Sequence, residues 1–141
     1  SMAIASYYAG ISLNIAAVGY VHAIAHQLGA KYGTPHGLAN AIVMPYVLDR
    51  TIDAASTALA ELADAIGVSL PGDDQRARAE RFVASVREMN DRVGIPATLE
   101  NLRREDFHEL VKAAADEGRS YAVPRVLGRN EIESILNQML P

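Results

Sequence analysis

Gly19-Tyr20-Val21-His22-Ala23-Ile24-Ala25-His26-Gln27-Leu28-Gly29, continued through Lys31-Tyr32-Gly33-Thr34-Pro35 into His36-Gly37-Leu38-Ala39-Asn40-Ala41, is the stretch that decides the fold. Its glycines and prolines fall at intervals that suit helices rather than strands, and no turn dipeptide flanked by alternating apolar residues is present to start a hairpin. Gly19 weakens a helix without ending it. Gly29 is expected to close that helix, Lys31 to Pro35 reads as a loop, and His36-Gly37 opens a further helix expected to run to Asp49 with a kink at Pro45.

On the N-terminal side, Ala3 to about Ala17 forms another apolar helix, continuous or not with the one from Gly19. On the other side the pattern turns amphipathic. Ala54 to Ile66 places Leu59, Leu62 and Ile66 on one face with Gly67 as the stop. Asp73 or Asp74 caps the next helix, whose apolar positions Phe82, Val83, Val86 and Met89 keep helical spacing up to Gly94. Ile95-Pro96 forces an extended link, and Arg104 to Glu117 forms a helix around Phe107, Leu110 and Val111. Asn130 and Glu133 have the spacing of a capping box, opening a last helix that buries Ile132, Ile135 and Leu136. The expected architecture is all-α, a single domain over 1–141 built as a bundle of about six or seven helices.

Charge divides the chain in two. Between Ser1 and Leu48 only Lys31 is charged, and the other twenty-nine charged side chains follow from Asp49 onward. So uncharged a start resembles a leader or membrane span, but it lacks a basic beginning and is interrupted by Ser12, Asn14, His22, His26 and Gln27, so no membrane partner is expected. Helices buried on most sides are expected instead. Net charge −4 and a pI near 5.5 give no general attraction to phosphate backbones, which argues against nucleic acid. The absence of cysteine excludes disulfides and thiolate metal sites, and a cytoplasmic location fits best. Ser1-Met2 reads as a remnant ahead of Ala3, so the chain is expected to begin inside a longer protein.

His22 and His26 lie one turn apart, so on a helix they project from the same face and could meet one ion or substrate. A pair at this spacing also arises by chance, and a histidine on an apolar helix is more often a core residue bonded to a carbonyl. No glutamate follows His22, so the zinc-protease pattern and its general base are absent. His108, among charged residues on an amphipathic helix, reads as a solvated surface histidine. Tyr7, Tyr8, Tyr20 and Tyr32 read as core residues with one hydrogen bond each, and Asn14 and Asn40 as structural hydrogen-bonding residues.

Taken whole, the stretch from Gly19 to Gly29 followed by Tyr32 to Ala41 closely resembles the iron-containing (group III) alcohol dehydrogenase family. The resemblance continues through Met44-Pro45, Gly94-Ile95-Pro96 and Val123-Pro124-Arg125, and so covers nearly the whole chain. It implies the helical C-terminal domain of a dehydroquinate synthase-like fold. It also implies that His22 and His36, separated by fourteen positions, are ligands of Fe2+ or Zn2+. His26 would lie near the nicotinamide of NAD or NADP and the substrate, aiding proton transfer or cofactor placement. Imidazole suits either metal. The implied activity is hydride transfer between an alcohol and an aldehyde or ketone. Separately, the uncharged first half is expected to expose apolar surface in this chain and to self-associate as a homo-oligomer, most simply a symmetric dimer, through the first helix with Ile4, Tyr7, Tyr8, Ile11 and Ile15 in the contact.

Family members also carry an upstream nucleotide-binding domain with a Gly-Gly-Gly-Ser turn, and an aspartate and a further histidine that complete the metal site. None of these is in this sequence, and Gly29, Gly33 and Gly37 do not form a phosphate cradle. The chain alone is therefore expected to be inactive. Two other classes stay open: a metal-binding structural module closing one site with His22, His26 and His36, and a helical interaction domain that uses none of them.

Overall fold

A computed structural model describes residues Ser1–Pro141. It contains six α-helices and one short 3-10 turn, with no strand: α1 (Met2–Ala16), α2 (Tyr20–Tyr32), α3 (His36–Ala65), α4 (Gln75–Arg92), the turn Arg104–Asp106, α5 (Phe107–Gly118) and α6 (Arg129–Gln138). The all-α expectation holds, and most helices lie where the spacing of apolar residues put them. Four details differ, each for a physical reason.

First, α1 and α2 are not continuous. They meet at 104°, with Ala17 at φ 58°, a left-handed conformation costly for a residue with a Cβ. Within this chain α1 buries none of its fifteen residues, so the apolar surface expected to be exposed in the uncharged half lies there, on Ile4, Tyr7, Tyr8, Ile11 and Ile15; Tyr7 and Tyr8 stand edge to edge, ring centres 5.8 Å apart, rather than in a core. Apolar residues occupy all sides of α1, so the helix has no polar face to turn outward. No single helix is long and apolar enough to cross a membrane, although α1 and α2 pass such a test as a bent pair.

Second, α2 runs through Gly29 and stops at Gly33, whose φ of 68° is left-handed and whose amide bonds the Gly29 carbonyl. Gly33 adopts this C-terminal conformation without the strain a side chain would bring.

Third, the helices expected at His36 to Asp49 and at Ala54 to Ile66 are one helix of thirty residues. Proline at position 45 has no N–H, which leaves the carbonyl of Ala41 one turn earlier without its helical partner. Asn90 of α4 fills the gap, donating from Nδ2 to the Ala41 oxygen at 2.8 Å. Between Asp49 and Ala54 nothing breaks the helix. Of the face expected to be apolar, Leu59 is buried while Leu62 and Ile66 are exposed, because α4 covers only the side bearing Leu59 and Ala63. Met89 of α4 is likewise exposed.

Fourth, the box at the start of α6 is formed two residues early. Glu131 accepts from the Gly128 amide at 2.9 Å, and Asn130 with Glu133 is not the pair. Asp74 does cap α4, accepting from the Ala77 amide at 2.7 Å. Asp73 instead accepts from the Leu70 amide and holds Arg81.

Two cores result. The larger is formed by α2, the first half of α3, α5 and α6 around Tyr20, Ile24, Leu28, Ile42, Leu127 and Ile135. The smaller joins the second half of α3 to α4 through Ile52, Leu59, Ala79 and Val83. Exposed ion pairs Asp53–Arg76, Asp49–Arg87 and Asp64–Arg78 line the seam between α3 and α4; each adds little free energy but favours one register. Helices α2 and α5 approach closely at Gly118, where an added Cβ would run into the buried Tyr20 ring.

Candidate functional site

His22 and His26 face one way because they are one turn apart on α2. His36 is the first residue of α3. Along α2, ten residues separate His22 from Tyr32, about 15 Å of rise, yet the His22 and His36 ring centres are 5.3 Å apart. The link from Gly33 to Pro35 must therefore double back along α2. The Thr34 carbonyl confirms the path, lying 3.5 Å from where a Gly29 Cβ would be. The loop therefore lies in contact with α2 at Gly29. Tyr32 anchors the turn, donating to Asp106 at 2.8 Å, and Lys31 pairs with Asp106 at 3.0 Å and with Glu109 at 2.8 Å.

The third imidazole joins the same cluster. His26 lies 5.7 Å from His22 and 5.5 Å from His36 between ring centres, stacked on the latter at 22°. His22 is half-buried and the other two are exposed. Burial, and then the neighbouring rings of His36 and His26, push the His22 pKa down, against a smaller upward pull from Glu117. Neutral imidazole is the form that can bind a metal.

The imidazole pair of His22 and His36 suits part of the ligand set of a divalent iron or zinc ion. Two imidazoles sharing one ion at metal–nitrogen distances of about 2.0–2.1 Å keep their ring centres roughly 5 Å apart, so the His22–His36 pair fits part of a ligand set. The chain contains no group of three or more His, Asp or Glu placed to hold an ion by themselves. Asn40, one turn after His36, donates to its carbonyl at 2.9 Å and faces its Nε2 at 3.1 Å. Asn40 is thus a structural hydrogen-bonding residue as expected, whereas Asn14 is exposed and makes no side-chain bond.

The other expectations divide. Tyr20 is buried and donates to the Leu127 carbonyl at 3.3 Å, as a core tyrosine should. His108 is exposed on α5, away from the cluster. Sequence reasoning missed Glu117, whose carboxylate accepts from His26 Nδ1 at 2.6 Å, Tyr121 at 2.7 Å and Gln27 at 2.8 Å. Glu117 is the last acidic residue of an ordinary amphipathic helix, and no local pattern links it to a histidine ninety-one positions earlier.

An all-helical domain with three imidazoles gathered where a helix turns back on itself is the class that fold and geometry define. The family model for the C-terminal part of Fe-containing alcohol dehydrogenases matches residues 1–140, and the chain belongs to that family. It is 36% identical over 140 residues to the 1,3-propanediol dehydrogenase of Klebsiella pneumoniae, covering 98% of this chain and 36% of that protein. It is 32% identical over 142 residues to the NAD-dependent methanol dehydrogenase of Bacillus methanolicus, covering 99% and 37%. Among solved structures, an alcohol dehydrogenase from Oenococcus oeni superposes with a TM-score of 0.86 at 33% identity over 93% of this chain and 35% of its own. The chain thus spans about a third of the length of the curated relatives it matches.

Proposed function

We propose that residues 1–141 act as the metal-ligating helical part of an NAD(P)-linked alcohol dehydrogenase, interconverting an alcohol with an aldehyde or ketone. The observation that supports this reading is the approach of His22 and His36 to 5.3 Å between ring centres. His22 and His36 would hold a divalent iron or zinc ion, completed by ligands from other parts of a protein of the relatives' size. When bound, that ion supplies Lewis acidity toward the substrate oxygen, and the nicotinamide accepts or returns the hydride.

This chain's own residues hold the arrangement. Burial keeps His22 neutral, Asn40 fixes the first turn of α3 under His36, and Tyr32 with Lys31 pins the loop between the two ligands. His26 is the cleft residue that accepts or delivers a proton, or places the cofactor, and is not itself a ligand. By itself the chain should bind no nicotinamide and oxidise no alcohol. Its uncovered α1 should draw copies together into a homo-oligomer, with Ile4, Tyr7, Tyr8, Ile11 and Ile15 in the contact.

Cobalt(II) titration followed by visible absorption tests the ligand assignment. The chain should show one weak site, lost in His22→Ala and in His36→Ala and kept in His26→Ala. Binding indifferent to His22 and His36 would overturn the assignment. Turnover of a primary alcohol by the chain with added iron or zinc and nicotinamide would overturn the reading that its chemistry needs further protein.

A further inference from the structure

The densest polar cluster surrounds Glu117, at the C-terminal end of α5. Its Oε1 accepts from His26 Nδ1 at 2.6 Å and from the Tyr121 hydroxyl at 2.7 Å, while Oε2 accepts from Gln27 Nε2 at 2.8 Å. The carboxylate is only 25% exposed. Its placement is fixed by the adjoining residue, because Gly118 is where the α5 backbone presses on the Tyr20 ring. That contact locks α5 against α2 one residue from the carboxylate and one and a half turns from His26.

A carboxylate can only accept, and a neutral imidazole has one donor nitrogen and one acceptor. Two donors on one oxygen and a third on the other leave Glu117 no freedom to rotate away. The nitrogen facing it must therefore carry the hydrogen. We propose that Glu117 is a positioning residue that holds His26 as the Nδ1–H tautomer, leaving the Nε2 lone pair without a hydrogen-bond partner in the chain, on a ring that stacks against His36. Free histidine side chains favour the other tautomer, so Glu117 reverses the ordinary preference. His26 then meets a ligand as an acceptor at Nε2, never as a neutral donor there. The catalytic meaning rests on the reading of His26 as the cleft histidine; the tautomer does not.

The test is the chain labelled with 15N in its histidine rings, observed by long-range proton–nitrogen correlation at a pH of about 8.5, where imidazole is neutral. In the wild type, His26 should give a protonated-type Nδ1 and an unprotonated-type Nε2. Glu117→Ala should lose that pattern, Glu117→Gln should recover it in part because its amide oxygen accepts one bond, and Tyr121→Phe should keep it. A wild-type His26 protonated at Nε2 overturns the proposal, as does a Glu117→Ala spectrum with the Nδ1–H population unchanged. Should Glu117→Ala fail to fold, the wild-type spectrum and Glu117→Gln decide alone. Cobalt binding at His22 and His36 is read in a separate titration. Its absence would refute the metal assignment while leaving the tautomer result standing.

Discussion

Helices α1 and α4 invert the simplest expectation about burial. α1 carries no charged side chain and buries nothing, while α4 is studded with arginines and acids and buries Ala79, Val83 and Val86. The difference lies in arrangement. α4 confines its apolar residues to one stripe that matches the second half of α3, and its charges pair across the seam. α1 spreads apolar residues around its whole circumference, and nothing in residues 1–141 offers it a surface. Burial follows from a complementary partner rather than from hydrophobicity alone.

The contrast can be broken most severely on the packed side. Gly118→Ala puts a methyl group into the buried Tyr20 ring, so that the ring or one of the two helices must shift. It should cost about 3 kcal/mol, read as a lowered urea midpoint, and should also disturb the Glu117 cluster. A midpoint within error of the wild type would mean that α2 and α5 do not pack this closely.

Next in size is the compensation that keeps α3 whole. Asn90→Leu leaves the Ala41 carbonyl without a donor and should cost about 2 kcal/mol. Pro45→Ala restores a backbone N–H to that carbonyl, so in its presence the same Asn90→Leu change should cost less than about 1 kcal/mol. Additive effects in this double-mutant cycle would show that Asn90 acts in some other way.

Acid should loosen the packed region further. Asp73 is held below its ordinary value of 3.8 by Arg81 and then by the Leu70 amide, and Asp106 by Tyr32 and then by Lys31. Glu131 is held low by the Gly128 amide and then by Arg125. A carboxyl whose folded pKa is depressed contributes stability that is complete above its unfolded value and is lost as pH falls through the folded one. Urea midpoints should therefore drop steadily from about pH 5 to pH 2, and Asp106→Asn should flatten part of that slope. An unchanged slope would show that Asp106 gains no net favour in the fold.

The smallest effect on stability is expected where the sequence is most apolar. Tyr7→Ser with Ile11→Ser should shift folding free energy by less than about 0.5 kcal/mol, because neither side chain touches a core. The same double change should reduce association measured by sedimentation at micromolar concentration. A large loss of stability would mean that α1 lies against the bundle.

Sequence alone determined what is encoded within a few residues. Helical periodicity gave the all-α class, most helix positions and the buried faces of α5 and α6, a cap at Asp73 or Asp74 was legible, and the one-turn spacing of His22 and His26 together with the motif around His36 carried the family resemblance. Only tertiary structure decided the rest. The Ala41 carbonyl that Pro45 frees inside α3 is met by Asn90, forty-nine positions away. Whether α1 is buried depends on a partner surface its own pattern cannot specify. The orientation of His26 depends on a carboxylate brought across by the contact of Tyr20 with Gly118. Local patterns report the conformational preference of a segment, whereas hydrogen-bond satisfaction and packing are settled between segments that meet only once the chain has folded.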